Sequence, residues 1–402
     1  MINRMSYTVA LNKIAKPILR PIDVITGTLY RTIGVRWWGE GAYERESIDG
    51  SQTAAKTLSI VREGDLIINK IWVRHGSIAI VGKEVDGCAA SGEFPTFELD
   101  TSQIFTRWLY WFIKSPSFWE KCAQLSQGTS GKNRIKPELF LTIEIPLPPL
   151  DEQRRIVARI EELAAKVEEA RGLRRQSIEE AEALIKSARR KIIGAMPEAN
   201  WVHLSKYVKE IENGKSPSCE SRPATDNEWG VVKVGCVSFG TFDPLENKAL
   251  PPTINPDPVC EIQCGDFLMS RANTTQLVGA CTIVKKTRSK LLLSDKIFRF
   301  VFNKNEHIDI NYLDHVLKSP ALRLQIEHQA TGTSLTMKNI SKEKVLRLMI
   351  PLHSLPEQRR IVTYLDNLQA KVNALKRLQT ETAAELDALL PSILDKAFKG
   401  EL

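Results

Sequence analysis

Two long stretches of the sequence place apolar residues on one face of a helix. The first covers residues 151–193, where the apolar positions are separated by alternating steps of four and three: Ile156, Ile160, Leu163, Val167 and Ala170. This spacing is typical of the narrow apolar seam of a coiled coil and predicts a long helix. Prolines up to Pro149 prevent an earlier start. The seam loses its phase near Gly172, where we expect a local irregularity.

The second stretch covers residues 356–399 and shows the same steps at Ile361, Leu365, Leu368, Val372 and Leu375. Pro391 lies inside this stretch and should kink the helix or loosen its last turns. Each stretch has about 43 residues, hence roughly 65 Å of helix at about 1.5 Å per residue. Two arrangements fit the pattern. The helices pair with each other, which the matching seams favour, or each docks separately on its own globular part.

The remaining sequence alternates short apolar runs with turn signals. Residues 57–81, 262–284 and 291–302 show this pattern, which predicts short strands. Residues 104–113 and 310–317 have helical spacing, and each stretch ends at a Lys-Ser-Pro tripeptide. We therefore expect compact globular parts of mixed α/β structure with several long loops.

The chain contains an internal repeat. Residues 145–157 (IPLPPLDEQRRIV) and 350–362 (IPLHSLPEQRRIV) are identical at ten of thirteen positions, at an offset of 205. Upstream, the tripeptides Lys-Ser-Pro and Gly-Thr-Ser each recur at an offset of 204, and a Gly-Asp pair recurs at 201. So constant an offset indicates one long unit used twice. The helical stretches match well and the globular parts match only at isolated points, which suggests a common scaffold carrying two different binding parts.

Composition limits the class of protein. The chain has 56 Lys and Arg residues against 48 Asp and Glu, a net charge of +8. An excess of this size is compatible with a nucleic-acid partner without requiring one. No apolar run approaches the roughly 18 residues of a membrane helix, and the start lacks a signal-peptide core, so we expect a cytoplasmic protein. Seven scattered cysteines favour reduced thiols.

Motifs for catalysis are incomplete. Gly214-Lys-Ser ends like a phosphate-binding loop but lacks the first glycine of that loop. Asn255-Pro-Asp-Pro lacks the second adjacent proline and the aromatic residue of an amino-methyltransferase motif. Cys260 and Cys264 have no second ligand pair at zinc-site spacing. We therefore expect a binding protein with neither a catalytic nor a metal site.

The repeated features closely resemble the specificity (S) subunits of type I restriction–modification systems. The resemblance rests on the two Ile-Pro-Leu blocks, the Gly-Thr-Ser tripeptides at 128–130 and 332–334, the two heptad helices and the C-terminal residues 397–402 (AFKGEL). It covers nearly the whole chain and is weakest over the first 35 residues.

The resemblance implies an α+β fold with a pseudo-twofold internal repeat, in which two mixed α/β target recognition domains are separated by an antiparallel two-helix coiled coil. Residues 1–145 would be the first recognition domain, 146–195 the first spacer helix, 196–350 the second recognition domain and 351–402 the second spacer helix. Each domain would recognise one half of a split, asymmetric site in double-stranded DNA. Half-sites about one helical turn apart, on the order of 34 Å, would present the same face of the duplex.

The resemblance also implies partners. The spacer helices would set the half-site separation and dock two methyltransferase (M) subunits, and restriction (R) subunits would join for cleavage. S-adenosylmethionine, ATP and Mg would bind those partners, and this chain would be a non-catalytic subunit without a cofactor. The alternative is a coiled-coil adaptor that holds two ligand-binding domains and binds no nucleic acid.

Recognition of base edges needs polar and basic side chains on loops, and basic groups beside them can contact phosphates. In the first globular part we predict DNA contacts from Asn69, Lys70, Arg74, Lys132, Asn133 and Arg134. In the second globular part we predict DNA contacts from Arg271, Asn273, Thr274, Gln276, Lys286, Arg288, Thr333, Ser334, Thr336 and Lys338. For each of these residues the alternative is a side chain that only solvates its loop.

Two matching triplets lie at the starts of the long helices. They are Gln153, Arg154 and Arg155 in the first copy and Gln358, Arg359 and Arg360 in the second. They are candidate docking points for the two M subunits. The alternative is an intramolecular hydrogen-bond network that joins each helix to its own globular part.

Overall fold

The computed structural model describes residues 8–126, 133–194, 200–334 and 337–402. The chain divides into two compact units: unit 1 comprises residues 1–174 and 379–402, and unit 2 comprises residues 175–378. Each unit therefore contains one globular part together with a portion of both long helical stretches. The units cut across the four segments predicted from the sequence.

Helices and strands alternate in both globular parts. The described α-helices are α1 (Thr106–Phe112), α2 (Pro116–Leu125), α3 (Pro137–Phe140), α4 (Leu150–Ile193), α5 (Gly235–Ser238), α6 (Ile310–Leu317), α7 (Pro320–Gln329), α8 (Lys342–Leu346), α9 (Leu355–Glu381) and α10 (Ala383–Lys399). The described strands before α4 are β1 (Thr8–Ala10), β2 (Ala15–Ile18), β3 (Pro21–Asp23), β4 (Leu29–Tyr30), β5 (Ile33–Val35), β6 (Ala42–Glu44), β7 (Ile48–Asp49), β8 (Thr57–Ile60), β9 (Leu66–Ile68), β10 (Ile78–Ile80), β11 (Ala89–Ala90), β12 (Thr96–Leu99) and β13 (Glu144–Pro146). Those after α4 are β14 (Trp201–His203), β15 (Val208–Asn213), β16 (Gly230–Val232), β17 (Asn247–Ala249), β18 (Phe267–Ser270), β19 (Ala272–Asn273), β20 (Cys281–Ile283), β21 (Leu291–Leu292), β22 (Ile297–Phe302), β23 (Thr331–Ser334), β24 (Met337–Asn339) and β25 (Met349–Pro351).

Each unit has its own central sheet, and the two sheets have the same strand order. In unit 1 the four strands lie in the order β10-β9-β12-β2, and in unit 2 in the order β20-β18-β22-β15. All neighbours in both sheets are antiparallel. These strands occupy corresponding places in the two copies of the repeat, so the repeat seen in the sequence is also a repeat of topology. The α+β fold class is confirmed.

Each sheet packs against the short helices that follow it in the chain. The core of unit 1 includes Phe97, Trp108 and Phe118, all fully buried. The core of unit 2 includes Phe298 and Tyr312, also buried. The helices predicted before each Lys-Ser-Pro are confirmed as α1 and α6. The proline of each tripeptide then begins the next helix, α2 or α7, where its missing N–H costs nothing.

The Ile-Pro-Leu blocks join each sheet region to its long helix. Ile145 lies opposite Val9 in the β1–β13 pair, and Ile350 lies opposite Val202 in the β14–β25 pair. Both isoleucines are fully buried. The helices α4 and α9 then begin five residues later in each copy. The strongest sequence match is therefore the joint between globular part and helix.

The first long helix is confirmed, but the irregularity expected at Gly172 is wrong because α4 runs unbroken from Leu150 to Ile193. The second stretch is two helices, α9 and α10, separated at Thr382. Pro391 lies inside α10, so the interruption comes nine residues before the proline and not at it. Leu390 and Leu394, on either side of the proline, pack against the core of unit 1. This packing stabilises the helical conformation of α10 at Pro391.

Within each unit α4 lies antiparallel to the second helical stretch. In unit 1, Arg171 pairs with Asp387 at 2.9 Å, and Arg174 donates to the Thr382 hydroxyl at 2.8 Å. In unit 2, Glu182 pairs with Lys376. Ala188 and Ile192, near the end of α4, lie in the same apolar cluster as Ile361 and Leu365, near the start of α9. The end of one helix therefore meets the start of the other, as in an antiparallel pair. The predicted pairing is confirmed. In each unit, residues of both helices also pack into the core of that unit's globular part.

Candidate nucleic-acid interface

In unit 1 a loop after β9 carries three of the predicted contacts. We call residues 69–77 the unit 1 loop. The Lys70 N–H donates to the Glu93 carbonyl at 3.0 Å, and the Lys70 carbonyl accepts from the Ile135 N–H at 2.9 Å. The second bond places the segment that carries Asn133 and Arg134 beside the unit 1 loop. The structure therefore brings the two predicted groups of unit 1 together.

Unit 2 builds the same frame. We call residues 271–279 the unit 2 loop. The Arg271 N–H donates to the Lys296 carbonyl at 2.8 Å, and the Arg271 carbonyl accepts from the Ile340 N–H at 3.0 Å. Asn273 lies opposite Lys338 in the β19–β24 pair, so the later predicted group again lies beside the loop. Lys70 and Arg271 hold equivalent places, and two divergent sequences present different side chains from one backbone arrangement.

The side chains of the unit 1 loop divide into structural and available groups. Asn69 Oδ1 accepts from the N–H groups of Ile71 and Trp72 at 2.9 and 3.2 Å, so this oxygen shapes the turn. Arg74 lies over the Trp72 ring, with its Cζ 5.8 Å from the ring centroid. Arg134 is 52% exposed and pairs with Glu93 at 3.0 Å. Lys132 falls outside the described residues.

The unit 2 loop divides in the same way. Asn273 donates from Nδ2 to the Ser238 hydroxyl at 3.1 Å and accepts the Thr274 N–H at 2.9 Å, so it braces the loop. Lys338 donates to the Gly332 carbonyl at 2.6 Å. Thr274 and Gln276 are exposed. The other predicted residues of this group lie in β23 or outside the described residues: Thr333 and Ser334 in the strand, Thr336 outside.

The basic run after β20 does not act as one group. Lys285 and Lys286 are exposed. Arg288, predicted to contact DNA, donates to the carbonyls of Glu228 and Ser289 at 3.0 Å each. Lys290 donates to the Asn227 carbonyl at 2.9 Å. Because Arg288 is held against this neighbouring segment, the structure gives it a role in loop packing and separates it from Lys286.

A family model for the type I restriction modification DNA specificity domain matches residues 26–180 and 260–385. The chain belongs to this DNA specificity family. The match spans both copies of the repeat, which includes the unit 1 loop and the unit 2 loop. Membership favours DNA recognition over the adaptor hypothesis.

Two curated members of the DNA specificity family are similar to this chain. The type I restriction enzyme EcoEI specificity subunit of Escherichia coli is 30% identical over 200 residues, which is 48% of this chain and 34% of that protein. The EcoKI specificity subunit of Escherichia coli (strain K12) is 28% identical over 358 residues, which is 83% of this chain and 74% of that protein. The chain thus matches about a third of one relative's length and three quarters of the other's.

Solved structures of the family show the same fold. The HsdS subunit from Thermoanaerobacter tengcongensis has a TM-score of 0.58 and 25% identity, covering 98% of this chain and 97% of that one. A chain from work on the structural basis of complex assembly and conformational transition of the type I R-M system has a TM-score of 0.68 and 26% identity, covering 98% of each chain. The alignment thus extends over both units.

An aromatic cluster beside the unit 1 loop was not predicted from the sequence. Trp37 lies 5.0 Å from Trp72 and Trp38 lies 5.6 Å from Trp119, measured between ring centroids, and His75 lies within 6 Å of three of these rings. Trp38 is 53% exposed and adopts a left-handed backbone with φ 59°, which is costly for a bulky residue. The adjacent Trp37-Trp38 pair before two glycines was the available signal.

The two glutamines of the helix-start triplets face inward. Gln153 has no exposed surface; it accepts the Phe105 N–H at 2.7 Å and donates to the carbonyls of Gln103 and Pro148. Gln358 is 1% exposed and accepts the Asp309 N–H at 2.9 Å while donating to the His353 carbonyl. These residues join each helix to its globular part, as the intramolecular alternative expected, so neither can contact a partner protein.

The arginines of the triplets are on the surface. All four are exposed: Arg154, Arg155, Arg359 and Arg360. Arg155 pairs with Glu152 and Arg360 with Glu357, each at 2.7 Å. The hydrogen bond to the carboxylate raises the pKa of each arginine, and Arg360 lowers the pKa of Glu357. These equivalent charges stay candidates for docking.

Among the described residues, no helix is long and apolar enough to cross a membrane. No group of three His, Cys, Asp or Glu side chains in the same ranges is placed to hold a metal ion.

Proposed function

We propose that this chain recognises DNA as the specificity subunit of a type I restriction–modification complex. Each unit recognises one half of a split site in double-stranded DNA. The observation that carries the proposal is the shared backbone frame around Lys70 and Arg271, which holds different side chains in the two units. Because these side chains differ, the two half-sites have different sequences and the whole site is asymmetric.

The candidate contacts follow from exposure and partners. Thr274, Gln276 and Lys286 are exposed in unit 2, and Arg74 and Arg134 present cations in unit 1. Amide and hydroxyl groups recognise base edges, and the basic groups contact phosphate or guanine. Asn69 and Asn273 hold the loops that carry these groups.

The long helices act as spacer and docking site. α4 pairs in unit 1 with α10 and in unit 2 with α9, and paired helices resist bending better than a flexible linker. The exposed arginines at the equivalent helix starts dock two methyltransferase subunits, and restriction subunits join that assembly. S-adenosylmethionine, ATP and Mg bind the partner subunits. This chain contributes recognition and no catalytic group, and the complex works on DNA in the cytoplasm.

Methylation mapping in the host tests the proposal. Sequencing with and without this gene should reveal one asymmetric two-part motif that loses methylation when the gene is absent. Mass photometry of the chain co-expressed with the neighbouring methyltransferase should show one specificity chain with two methyltransferase chains. A methylation pattern unchanged by deletion of the gene contradicts the proposal.

A further inference from the structure

Unit 2 contains a groove most of whose lining has no part in the proposed function. Its volume is about 810 Å³, and its walls come from the second half of α4, from α6, α7 and α9, from the unit 2 loop, and from the loops after α5 and β20. We call it the unit 2 groove. Gln276 and Lys286, two of the predicted DNA contacts, lie on its wall. The groove therefore opens beside the unit 2 loop.

The lining of the unit 2 groove is strongly basic. Seven of its side chains are Lys or Arg and three are Asp or Glu. Each acidic group has a cation or imidazole beside it: Glu182 meets Lys376, Asp314 meets Lys318 and Asp366 meets His315. Lys186, Lys285 and Lys286 add exposed positive charge to the same walls. The groove therefore presents an excess of cations to whatever enters it.

Two arginines on the wall keep unused donors. Arg189 Nε and Arg323 Nη1 are buried and have no hydrogen-bond partner in the part of the chain that the structure describes. Both guanidinium groups are largely desolvated by burial, and this lowers their pKa. Buried donors are normally satisfied. An anionic group in the groove would supply the missing acceptor and the missing negative charge.

The rim of the groove carries an exposed aromatic ring. Phe239 is 83% exposed. The next residue, Gly240, is fixed by its carbonyl, which accepts from Lys318 Nζ at 3.0 Å and from the Thr282 hydroxyl at 3.2 Å. Cations in a groove with an aromatic ring at its edge suit a chain of phosphates joined by sugars, whose C–H groups can pack on the ring, better than they suit a small anion.

We infer that the unit 2 groove binds the sugar–phosphate backbone of one strand of the DNA. The inference rests on the proposed function and adds a phosphate-binding site to the half-site recognised by unit 2. In unit 1 the places of Arg323 and His315 are taken by Trp119 and Trp111, 204 residues earlier. The two half-sites are therefore bound differently: that of unit 2 depends more strongly on salt.

The salt dependence of DNA binding tests the inference. The whole chain, assembled with its methyltransferase partner, is compared with the double variant Lys186→Gln/Lys285→Gln, which changes two exposed lysines of the groove that are not among the predicted base contacts and leaves folding intact. Each phosphate contact contributes about 0.9 to the slope of log K against log salt, so the slope should become shallower by about 1.8. The ratio of affinities for specific and unrelated DNA should stay the same, because phosphate contacts carry no sequence information.

A matched control separates a local contact from net charge. Lys209→Gln/Lys304→Gln removes the same charge from exposed positions of unit 2 that are not part of the groove lining. Its slope should remain at the wild-type value. Equal slopes for both double variants would overturn the inference. A groove variant that keeps the wild-type slope but loses the methyltransferase would also overturn it and assign the surface to a protein partner.

Phe239→Ala provides a second, independent variant. It should weaken binding of specific DNA while leaving the slope unchanged, because the ring contributes no charge. Wild-type affinity and slope in this variant would remove the ring from the site and contradict the sugar contact. A wild-type complex with no sequence-specific DNA binding would instead overturn the proposed function itself, an outcome distinct from a variant that merely keeps the wild-type slope.

Discussion

The two units have the same sheet topology and the same joint between sheet and long helix, but an equivalent position carries an aromatic side chain in unit 1 and a cationic one in unit 2. In unit 1, Trp119 packs against Trp38 and donates from Nε1 to the Ile113 carbonyl at 2.6 Å. Arg323, at the equivalent position of unit 2, donates to the Gln276 carbonyl at 3.1 Å and lines a basic groove. The same arrangement of strands and helices forms with either side chain at this position. A duplicated unit can therefore keep its sheet and helix joint while the surface beside its loop changes from aromatic to cationic.

The parts that stayed alike should be the most sensitive to substitution. Gln153→Ala leaves the Phe105 N–H and two carbonyls without their buried partner, and each unsatisfied group costs about 1–3 kcal/mol. We expect a loss of about 3 kcal/mol or more. Gln358→Ala removes one donor and one acceptor partner, so about 2 kcal/mol should be lost. Urea unfolding measures both.

Tryptophan fluorescence follows unit 1 in these experiments, because six of the eight tryptophans belong to it. Circular dichroism follows the whole chain. Gln176→Ala, an exposed glutamine on the same helix α4, is the control and should leave the midpoint unchanged. If Gln153→Ala behaved like Gln176→Ala, the shared joint would not depend on the buried amide.

The parts that diverged should respond unequally. Trp119→Ala removes a ring that packs in the aromatic cluster, and we expect a loss of about 2 kcal/mol. Arg323→Ala removes a largely buried cation whose Nη1 has no partner among the described residues. Relief of its desolvation offsets the lost bonds, so the cost should be about 1 kcal/mol or less. Calorimetry of both variants measures the difference in unfolding free energy. Equal losses would show that Trp119 and Arg323 contribute equally to the stability of their units.

The shared architecture could be predicted from the sequence because repeats and periodicity depend on neighbouring residues. The Ile-Pro-Leu blocks predicted the starts of α4 and α9, and the seam spacing predicted their pairing. Those positions carry the same constraint in both copies, since Ile145 and Ile350 are both fully buried. The break at Thr382 could not be predicted, because contacts of Leu390 and Leu394 with the globular core decide where α10 forms.

The candidate interface was predictable only as segments. The sequence identified the loops that carry Lys70 and Arg271, and in each unit the structure places a later predicted segment, with Arg134 or Lys338, beside that loop. It could not show that Asn69 and Asn273 use their amides to brace those loops. Nor could it show that Trp37 and Trp72, separated by 35 positions, meet in one cluster. Such contacts depend on the folded sheet.

A difference in pH dependence is a further test of the comparison. Arg189 donates to His315 Nδ1 at 3.3 Å and His315 Nε2 lies 3.0 Å from Asp366, so the ring is held neutral with its proton on Nε2. Burial, and next the charge of Arg189, lower the pKa of His315, while Asp314 and Asp366 oppose them. Trp111, its counterpart in unit 1, does not titrate.

The sign of the effect follows from proton binding. Because the unfolded chain binds a proton to His315 more readily than the folded chain, the free energy of unfolding of unit 2 should fall as pH drops below 6.5. His315→Gln should reduce this dependence. Burial also lowers the pKa of His353, which contributes in the same direction, so the difference between wild type and variant isolates His315. Identical pH profiles for the two proteins would contradict the assignment.

The smallest effect on stability is expected at the equivalent surface arginines. Arg155 and Arg360 each pair with a glutamate three residues earlier on an exposed helix turn, and such pairs contribute little to folding. Arg155→Gln/Arg360→Gln should therefore keep the wild-type unfolding midpoint. If both helix starts dock a methyltransferase subunit, mass photometry should show fewer complexes with two such subunits, whereas Arg62→Gln, on the globular surface of unit 1, should assemble normally. If the double variant still assembles with two methyltransferase subunits, these arginines have no role in docking.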